Sequence, residues 1–191
     1  MDGELRPQRT LVCESAPPEP CPAAAYPADW DIRQAVWADV TGDGAPECVL
    51  LVWRPWRDWP IMRWKKGESP IASFRDAQGD SAHVIITRPG QNGTYRELWA
   101  GSALPVPLMA LVAGDVDADG IAELVGLETD YDRGRTGPGR RVSLWAWDGF
   151  GFELETRSPA GHFTALYLTP PGEKGQQAIC VRGYPAGWGQ E

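Results

Sequence analysis

An acidic loop that occurs twice between apolar segments constrains this chain more than any other feature. The clearest copy lies at 114–123, "GDVDADGIAE", and carries carboxylates at Asp115, Asp117, Asp119 and Glu123. Acids at positions 1, 3 and 5, with glycine at position 6 for the sharp turn, let alternate side chains point at one hard cation such as calcium. The spacing therefore predicts that these four residues share a bound cation.

This loop is not that of an EF-hand. Counted from Asp115, position 12 is Gly126, where an EF-hand has a bidentate glutamate. The flanking segments 108–115 and 122–131 are short, apolar and bounded by Gly and Asp, which is typical of strands. We therefore expect a loop within a β-hairpin. An ordinary Asp-Gly turn with solvated acids is the alternative, and it leaves the like charges unneutralised.

A second copy of the loop lies upstream, within 35–53. Its candidate ligands correspond in order to those of the later loop and are Asp39, Thr41, Asp43 and Glu47. Thr41 replaces the middle aspartate but still offers an oxygen. A third, fainter copy at 163–183 keeps the apolar flanks, but Pro170, Pro171 and Lys174 stand in its loop. If this segment is a repeat, it has lost its metal.

Strand-like segments follow each loop at similar intervals, separated by turn signals. The chain has 22 Gly, 18 Pro and ten Trp, a composition that favours many short strands. We expect strands within the segments 47–54, 59–66, 82–89, 95–102, 122–131, 141–149, 151–159 and 162–168. Repeated units of three or four antiparallel strands are typical of propeller blades, so the predicted fold is all-β.

The D-x-[DT]-x-D-G-x-x-E loops, with "WDGFGFELE" at 147–155, resemble the FG-GAP/VCBS repeats of β-propellers, as in integrin α-subunits and bacterial surface proteins. The resemblance covers about residues 30–183. It implies antiparallel propeller-like blades, an extracellular or cell-surface setting, and Ca²⁺ bound by side chains at positions 1, 3, 5 and 9 and by the carbonyl at position 7. The implied ligands are Asp115, Asp117, Asp119, Glu123 and the Ile121 carbonyl in the later loop, and Asp39, Thr41, Asp43, Glu47 and the Ala45 carbonyl in the earlier one.

The number of repeats departs from the family. Two blades and part of a third are too few to close a propeller, which typically takes four to eight. Three arrangements remain open: self-association into a ring, loss of blades from a longer parent, or an open stack. We expect a partial propeller of two to three blades, completed by homo-oligomerisation. A Pro-rich segment, 1–29, precedes the repeats, and a tail, 184–191, follows them.

Charge and hydropathy exclude several classes of partner. The net charge of −8 disfavours nucleic acid as a partner. No apolar run approaches the ~20 residues of a membrane span. The Pro-rich segment also lacks the apolar h-region of a secretory signal, so no signal peptide accounts for the extracellular setting that the resemblance implies.

Four cysteines are present, and their spacing does not suggest a zinc site. Cys13 and Cys21 lie in the Pro-rich segment and could pair in an oxidising compartment. Cys48 and Cys180 lie in apolar strand-like segments, where we expect buried free thiols.

A stretch rich in Trp and Arg, "WRPWRDWPIMRW" at 53–64, has two interpretations. Its aromatic faces beside arginines could bind a sugar ring or exposed groups of a partner. Alternatively, the Trp side chains fill spaces between blades with Arg stacked on their outer faces, which we favour. Pro55 and Pro60 also predict a loop-like insertion in which one or two Trp are exposed. A second Arg-rich segment, 132–141, lacks the Walker pattern, so we expect a solvated hairpin loop and not an anion site.

The sequence contains no G-x-S-x-G or H-E-x-x-H motif, and its two histidines, His83 and His162, belong to no catalytic pattern. It therefore favours a non-enzymatic, calcium-braced binding or interaction module whose partner is a protein or a glycan. A carbohydrate-binding module that uses 53–64 is the first alternative. A propeller-fold hydrolase or lyase is the second, because fold alone does not define function.

Overall fold

The computed structural model describes residues 19–133 and 135–186, and these residues confirm the all-β class. Three short 3-10 helices, Pro60–Arg63, Gln91–Gly93 and Tyr131–Arg133, accompany the strands in this part of the chain. None of the described helices is long and apolar enough to cross a membrane. The strands are β1 Asp31–Ala38, β2 Glu47–Pro55, β3 Asp80–Pro89, β4 Tyr95–Ala100, β5 Leu108–Gly114, β6 Glu123–Glu128, β7 Arg141–Trp147, β8 Phe152–Arg157, β9 Gly161–Leu168 and β10 Ile179–Pro185.

The strands form two four-stranded antiparallel sheets and one hairpin. Sheet one has the order β1-β2-β3-β4, sheet two has the order β5-β6-β7-β8, and β9 pairs with β10. Within each unit every strand pairs with its neighbour in sequence, which is the simplest antiparallel connection. Each unit opens with two strands joined by an acidic loop or by the counterpart of one.

The three units pack on one another in chain order through their first strands. Strand β1 contacts β5, and β5 contacts β9. One apolar core joins sheet one to sheet two and includes Leu51 and Leu111. A second core joins sheet two to the β9–β10 hairpin and includes Leu127 and Phe163. Strands β2 and β6 are buried on both faces, which explains why their sequences are continuous apolar runs without strand alternation.

Residues 19–30 cover the outer face of sheet one. Tyr26 and Trp30 pack there against a buried cluster that contains Leu50 and Val52. A disulfide between Cys21 and Cys48 fastens this segment to β2. The face of sheet one that turns away from sheet two is therefore buried by the start of the same chain.

The disulfide corrects the cysteine predictions. Cys21 pairs with Cys48 and not with Cys13, which lies outside the described residues. Cys48 is buried as expected but is not a free thiol, and Cys180 is disulfide-bonded as well. The pairing depends on residues 19–30 folding back over sheet one, which brings the Cα atoms of Cys21 and Cys48 to 5.5 Å. Sequence spacing does not contain that information.

One predicted strand is wrong. The segment 59–66 contains the 3-10 helix Pro60–Arg63. Pro60 has no N–H for a sheet ladder and a fixed φ, and it occupies the first turn of that helix, where the missing donor costs nothing. Each of the other predicted segments contains a strand.

The β9–β10 hairpin forms the same backbone hydrogen bond to sheet two as sheet two forms to sheet one. The Asp39 carbonyl accepts a hydrogen bond from the Ala122 N–H at 2.9 Å, and the Asp115 carbonyl accepts one from the Gln177 N–H at 2.7 Å. Ala122 and Gln177 therefore both hold position 8 of a loop. We call the loops 39–47, 115–123 and 170–178 loop one, loop two and loop three. Position 6 is a glycine with positive φ in each: Gly44 at 84°, Gly120 at 91° and Gly175 at 86°.

Candidate metal centre

Loop two is folded by its own aspartates. Asp115 accepts the N–H of Ala118 on Oδ1 at 2.6 Å and the N–H of Gly120 on Oδ2 at 3.0 Å. Asp117 and Asp119 each accept the N–H two residues ahead, at 3.1 Å and 2.7 Å. These Asx turns hold the backbone so tightly that Ala118 adopts φ +69°, a region that costs a non-glycine residue about 1–2 kcal/mol.

The carboxylates of loop two converge. Oxygens of Asp115, Asp117 and Asp119 lie within 4.8 Å of one another. Glu123 at the start of β6 is only 6% exposed, and its Oε2 accepts the N–H of Val116 at 2.8 Å. The structure therefore brings three of the four predicted ligands together and places the fourth against the same loop.

The electrostatics of loop two favour a cation. Burial raises the pKa of Glu123 to about 7, although the hydrogen bond from Val116 opposes the increase, and the negative charges of Asp117 and Asp119 add to it. Within 19–133 and 135–186, no Lys or Arg forms an ion pair with any of the four acids. All donors are oxygens, so the residues fit a hard divalent cation.

Loop one repeats this backbone arrangement. Asp39 accepts the N–H groups of Gly42 and Gly44 at 2.8 Å and 2.7 Å, and Asp43 accepts that of Ala45 at 3.0 Å. Oxygens of Asp39, Asp43 and Glu47 lie within 4.8 Å of one another. The two loops thus share one scaffold, set by aspartate at position 1 and glycine at position 6.

Arg88 distinguishes loop one from loop two. Its Nη2 donates to Asp43 Oδ2 at 2.6 Å and to the Ala45 carbonyl at 3.3 Å, and its Nε donates to Glu47 Oε1 at 3.1 Å. The Thr41 hydroxyl donates to the same Glu47 oxygen at 3.1 Å. The hydrogen bond from Arg88 lowers the pKa of Asp43, and the contacts with Asp43 and Glu47 raise that of Arg88.

The local sequence around loop one does not indicate Arg88, because this residue lies in β3, 41 positions after Glu47. Only the pairing of β2 with β3 brings the two side chains together. A strand alignment that placed Thr87 opposite Cys48 would have indicated the contact, because the next residue along the ladder is Arg88.

The Trp-rich stretch forms one wall of a pocket of about 670 Å³ on the edge of sheet one. The lining residues include Arg54, Arg57, Trp59, Met62, Arg63 and His83. Trp53 is fully buried beneath the guanidinium of Arg135, so the space-filling interpretation holds for that residue. Trp59 and Trp64 are exposed.

His83 and Ser81 lie in β3 and bond to each other at 2.8 Å. His83 Nδ1 donates to the Gly101 carbonyl at 2.9 Å, so Nε2 accepts the proton of the Ser81 hydroxyl. Burial lowers the pKa of His83 to about 4, which keeps the ring neutral. Ser81 has no exposed surface, so this pair does not present a nucleophile to a substrate.

The Arg-rich segment 132–141 is only partly solvated. Arg135 turns inward and binds Asp31 at 2.5 Å, Asp76 at 3.2 Å and also Asp80, all of which belong to or flank sheet one. Arg140 forms an ion pair with Asp130 at 2.7 Å. Arg135 is therefore engaged with acids of sheet one and connects the two sheets.

The chain matches no protein-family model, no curated protein and no solved structure. The interpretation of loops one and two therefore depends on their own geometry and charge.

Proposed function

We propose that this protein is a non-enzymatic binding module whose repeats are braced by Ca²⁺ in loop two. The observation that carries the proposal is the convergence of three aspartates, with the buried Glu123 alongside, and without an ion-pair partner in the described part of the chain. A bound divalent cation would neutralise charges that otherwise repel each other. Asp115, Asp117, Asp119, Glu123 and the Ile121 carbonyl would hold it.

Calcium fits this donor set better than magnesium does. Calcium accepts six to eight oxygens in flexible geometry, including bidentate carboxylates and backbone carbonyls. Magnesium requires near-ideal octahedral geometry and tends to retain its waters. A loop whose carboxylates are already fixed by backbone N–H groups suits the less demanding ion.

Loop two is hydrogen-bonded to the loops of both neighbouring units, so a cation there would stabilise more than one loop. Ala122 donates to the Asp39 carbonyl of loop one at 2.9 Å. On the other side, the backbone carbonyl of Asp115 accepts the N–H of Gln177, and Gln176 Nε2 donates to the Val116 carbonyl at 2.8 Å. Ordering loop two would therefore fix sheet one, sheet two and the hairpin relative to one another.

We further propose that the sheets are propeller-style blades. The contacts of β1 with β5 and of β5 with β9 support this arrangement, because first strands are adjacent where blades surround an axis. Two blades and a hairpin do not close a ring, so self-association would supply the remaining blades. The surfaces of the assembled module would meet a protein or glycan partner.

The disulfides support an oxidising compartment for this module. Cys21 and Cys48 are joined, and Cys180 is also disulfide-bonded. Disulfides of this kind persist mainly outside the reducing cytosol. Extracellular fluid also supplies the calcium that weak loop sites require.

The first test compares thermal melts of chelator-treated protein with and without Ca²⁺. A ligand at a hundred times its Kd stabilises the folded state by about 2.7 kcal/mol, which raises the Tm of a chain of this size by roughly 5–10 °C. Asp115→Ala/Asp119→Ala should abolish this increase. Glu153→Ala/Glu155→Ala removes two exposed acids from β8 and should preserve it. An increase that survives in the loop variant would contradict the proposal.

A second candidate function is the binding of an acidic glycan in the pocket beside 53–64. Three arginines line this pocket with one carboxylate, Asp58, which already accepts hydrogen bonds from Ser69 Oγ at 2.5 Å and from the Trp59 N–H at 2.8 Å. The volume of about 670 Å³ is within the usual range for small ligands. The exposed face of Trp59 is available for stacking on a sugar ring.

This candidate is tested by tryptophan fluorescence titration with uronic-acid and neutral oligosaccharides. Trp59→Ala should weaken binding of the acidic sugars about 2- to 12-fold, because it removes an aromatic contact worth roughly 0.5–1.5 kcal/mol. Trp64→Ala is the matched control, because that side chain is 79% exposed and does not line the pocket. Equal effects of the two variants, or no binding by the wild type, would eliminate the pocket as a glycan site.

A further inference from the structure

We propose that Arg88 takes the place of the metal in loop one, so that the two acidic loops hold different cations. Loop one would be neutralised by a guanidinium from its own sheet, and loop two would depend on Ca²⁺. This inference rests on the proposed function for loop two. It predicts one calcium equivalent for each chain, although the sequence contains two ligand-like loops.

Arg88 contacts three of the five ligands that a metal in loop one would use. The calcium ligands implied for that loop include the side chains of Asp43 and Glu47 and the carbonyl of Ala45. Arg88 Nη2 donates to Asp43 Oδ2 at 2.6 Å and to the Ala45 carbonyl at 3.3 Å, and the guanidinium also binds Glu47. Three of the implied ligands therefore already share one positive charge.

The register of the sheets explains why only loop one has this arginine. In sheet one, Cys48 pairs with Thr87, so Arg88 comes opposite Glu47 one step further along the ladder. In sheet two, Leu124 pairs with Trp145, so the same step places Ala146 opposite Glu123. Ala146 carries no charge. The two loops thus have equivalent scaffolds, and one position on the neighbouring strand determines which of them contains an internal cation.

The rest of each loop is consistent with this difference. Loop one has Thr41 at position 3, and the Thr41 hydroxyl donates to Glu47. It therefore carries three carboxylates and one guanidinium. Loop two has Asp117 at the same position and carries four carboxylates without a basic partner among the described residues. Arginine stays protonated at any physiological pH, so the neutralisation of loop one is permanent, whereas that of loop two depends on the calcium concentration.

The test measures calcium stoichiometry by isothermal titration of chelator-treated protein. The wild type should bind one equivalent, and Asp115→Ala/Asp119→Ala should bind none. Arg88→Ala should bind a second, weaker equivalent in loop one. Ala146→Arg should lose binding in loop two, while Ala146→Leu, the uncharged control, should retain it.

Asp43→Asn separates failure of this inference from failure of the calcium proposal. With Arg88 still present, this substitution should leave the calcium stoichiometry at one. The test therefore does not require the Arg88→Ala variant to fold. Loss of one calcium equivalent in Asp43→Asn would overturn the inference, because it would show that loop one binds metal despite Arg88. An Arg88→Ala protein that folds but gains no site would also overturn it. If the wild type shows no calcium binding that Asp115→Ala/Asp119→Ala abolishes, the proposed function is refuted instead.

Discussion

Asp39 and Asp115 hold the same place in their loops and accept the same two backbone hydrogen bonds. These residues shape each loop. If Ca²⁺ binds in loop two as we propose, the choice of cation follows from single positions elsewhere: Arg88 on β3 and Ala146 on β7. We then expect a substitution outside the acidic motif to convert a metal site into an arginine-neutralised turn while the motif remains intact.

His83 is another residue whose chemistry is set by its position. Its folded pKa is about 4, below the usual value of 6.5, because the ring is buried and Arg54 lies nearby. As pH falls below 6.5 the unfolded chain gains a proton that the folded chain does not, so the free energy of unfolding should decrease. The loss is about 1.4 kcal/mol per pH unit and ends near the folded pKa.

The asparagine side chain of His83→Asn still has an N–H that can donate to the Gly101 carbonyl, but this side chain does not titrate. We expect the difference in unfolding free energy between wild type and variant to change steadily between pH 6.5 and pH 4. Urea denaturation at several pH values measures it. A difference that is constant across this range would show that His83 does not contribute to the acid sensitivity of the protein.

At the scale of the elements, local sequence predicted the strands and loops because the relevant signals lie within a few residues. The apolar runs of β2 and β6 and the Asp and Gly positions of the loops are examples. The prediction was wrong for 59–66, where Trp and Ile residues suggested a strand and Pro60 instead begins a 3-10 turn.

The features that sequence did not predict all depend on contacts between distant segments. The Cys21–Cys48 disulfide requires residues 19–30 to fold over sheet one. The contact of Arg88 with loop one requires the register of β3 against β2. The pocket beside 53–64 requires the Trp-rich loop to return towards Gly101. Such contacts carry no local pattern, so a single sequence does not contain a direct signal for them.

At the scale of the whole molecule, the three strand units and the covering segment 19–30 are held together by different kinds of interaction. Apolar cores join sheet one, sheet two and the hairpin. The outermost layer, residues 19–30, has no regular secondary structure and is fastened by the aromatic contacts of Tyr26 and Trp30 with Tyr95 and by the Cys21–Cys48 disulfide. The apolar outer face of sheet one, with Leu50 and Val52, depends on this segment for its cover.

Removal of that disulfide should therefore destabilise the protein without changing the loops. The bond spans 27 residues, and in the chain-entropy account closing a loop of this length contributes about 3–4 kcal/mol. Cys21→Ala/Cys48→Ala should lower the free energy of unfolding by a similar amount. Urea denaturation measures the loss. A chemical reductant is less informative, because Cys180 is disulfide-bonded as well.

Calcium stoichiometry of the same variant provides the control, because the disulfide lies on the outer face of sheet one and loop two belongs to sheet two. We expect that the variant still binds calcium and that limited proteolysis now cleaves within 19–30. If unfolding free energy and protease resistance both remain unchanged, aromatic packing of Tyr26 and Trp30 is sufficient to hold the segment. If calcium binding is lost as well, the cover on sheet one and loop two form a single cooperative unit across both sheets.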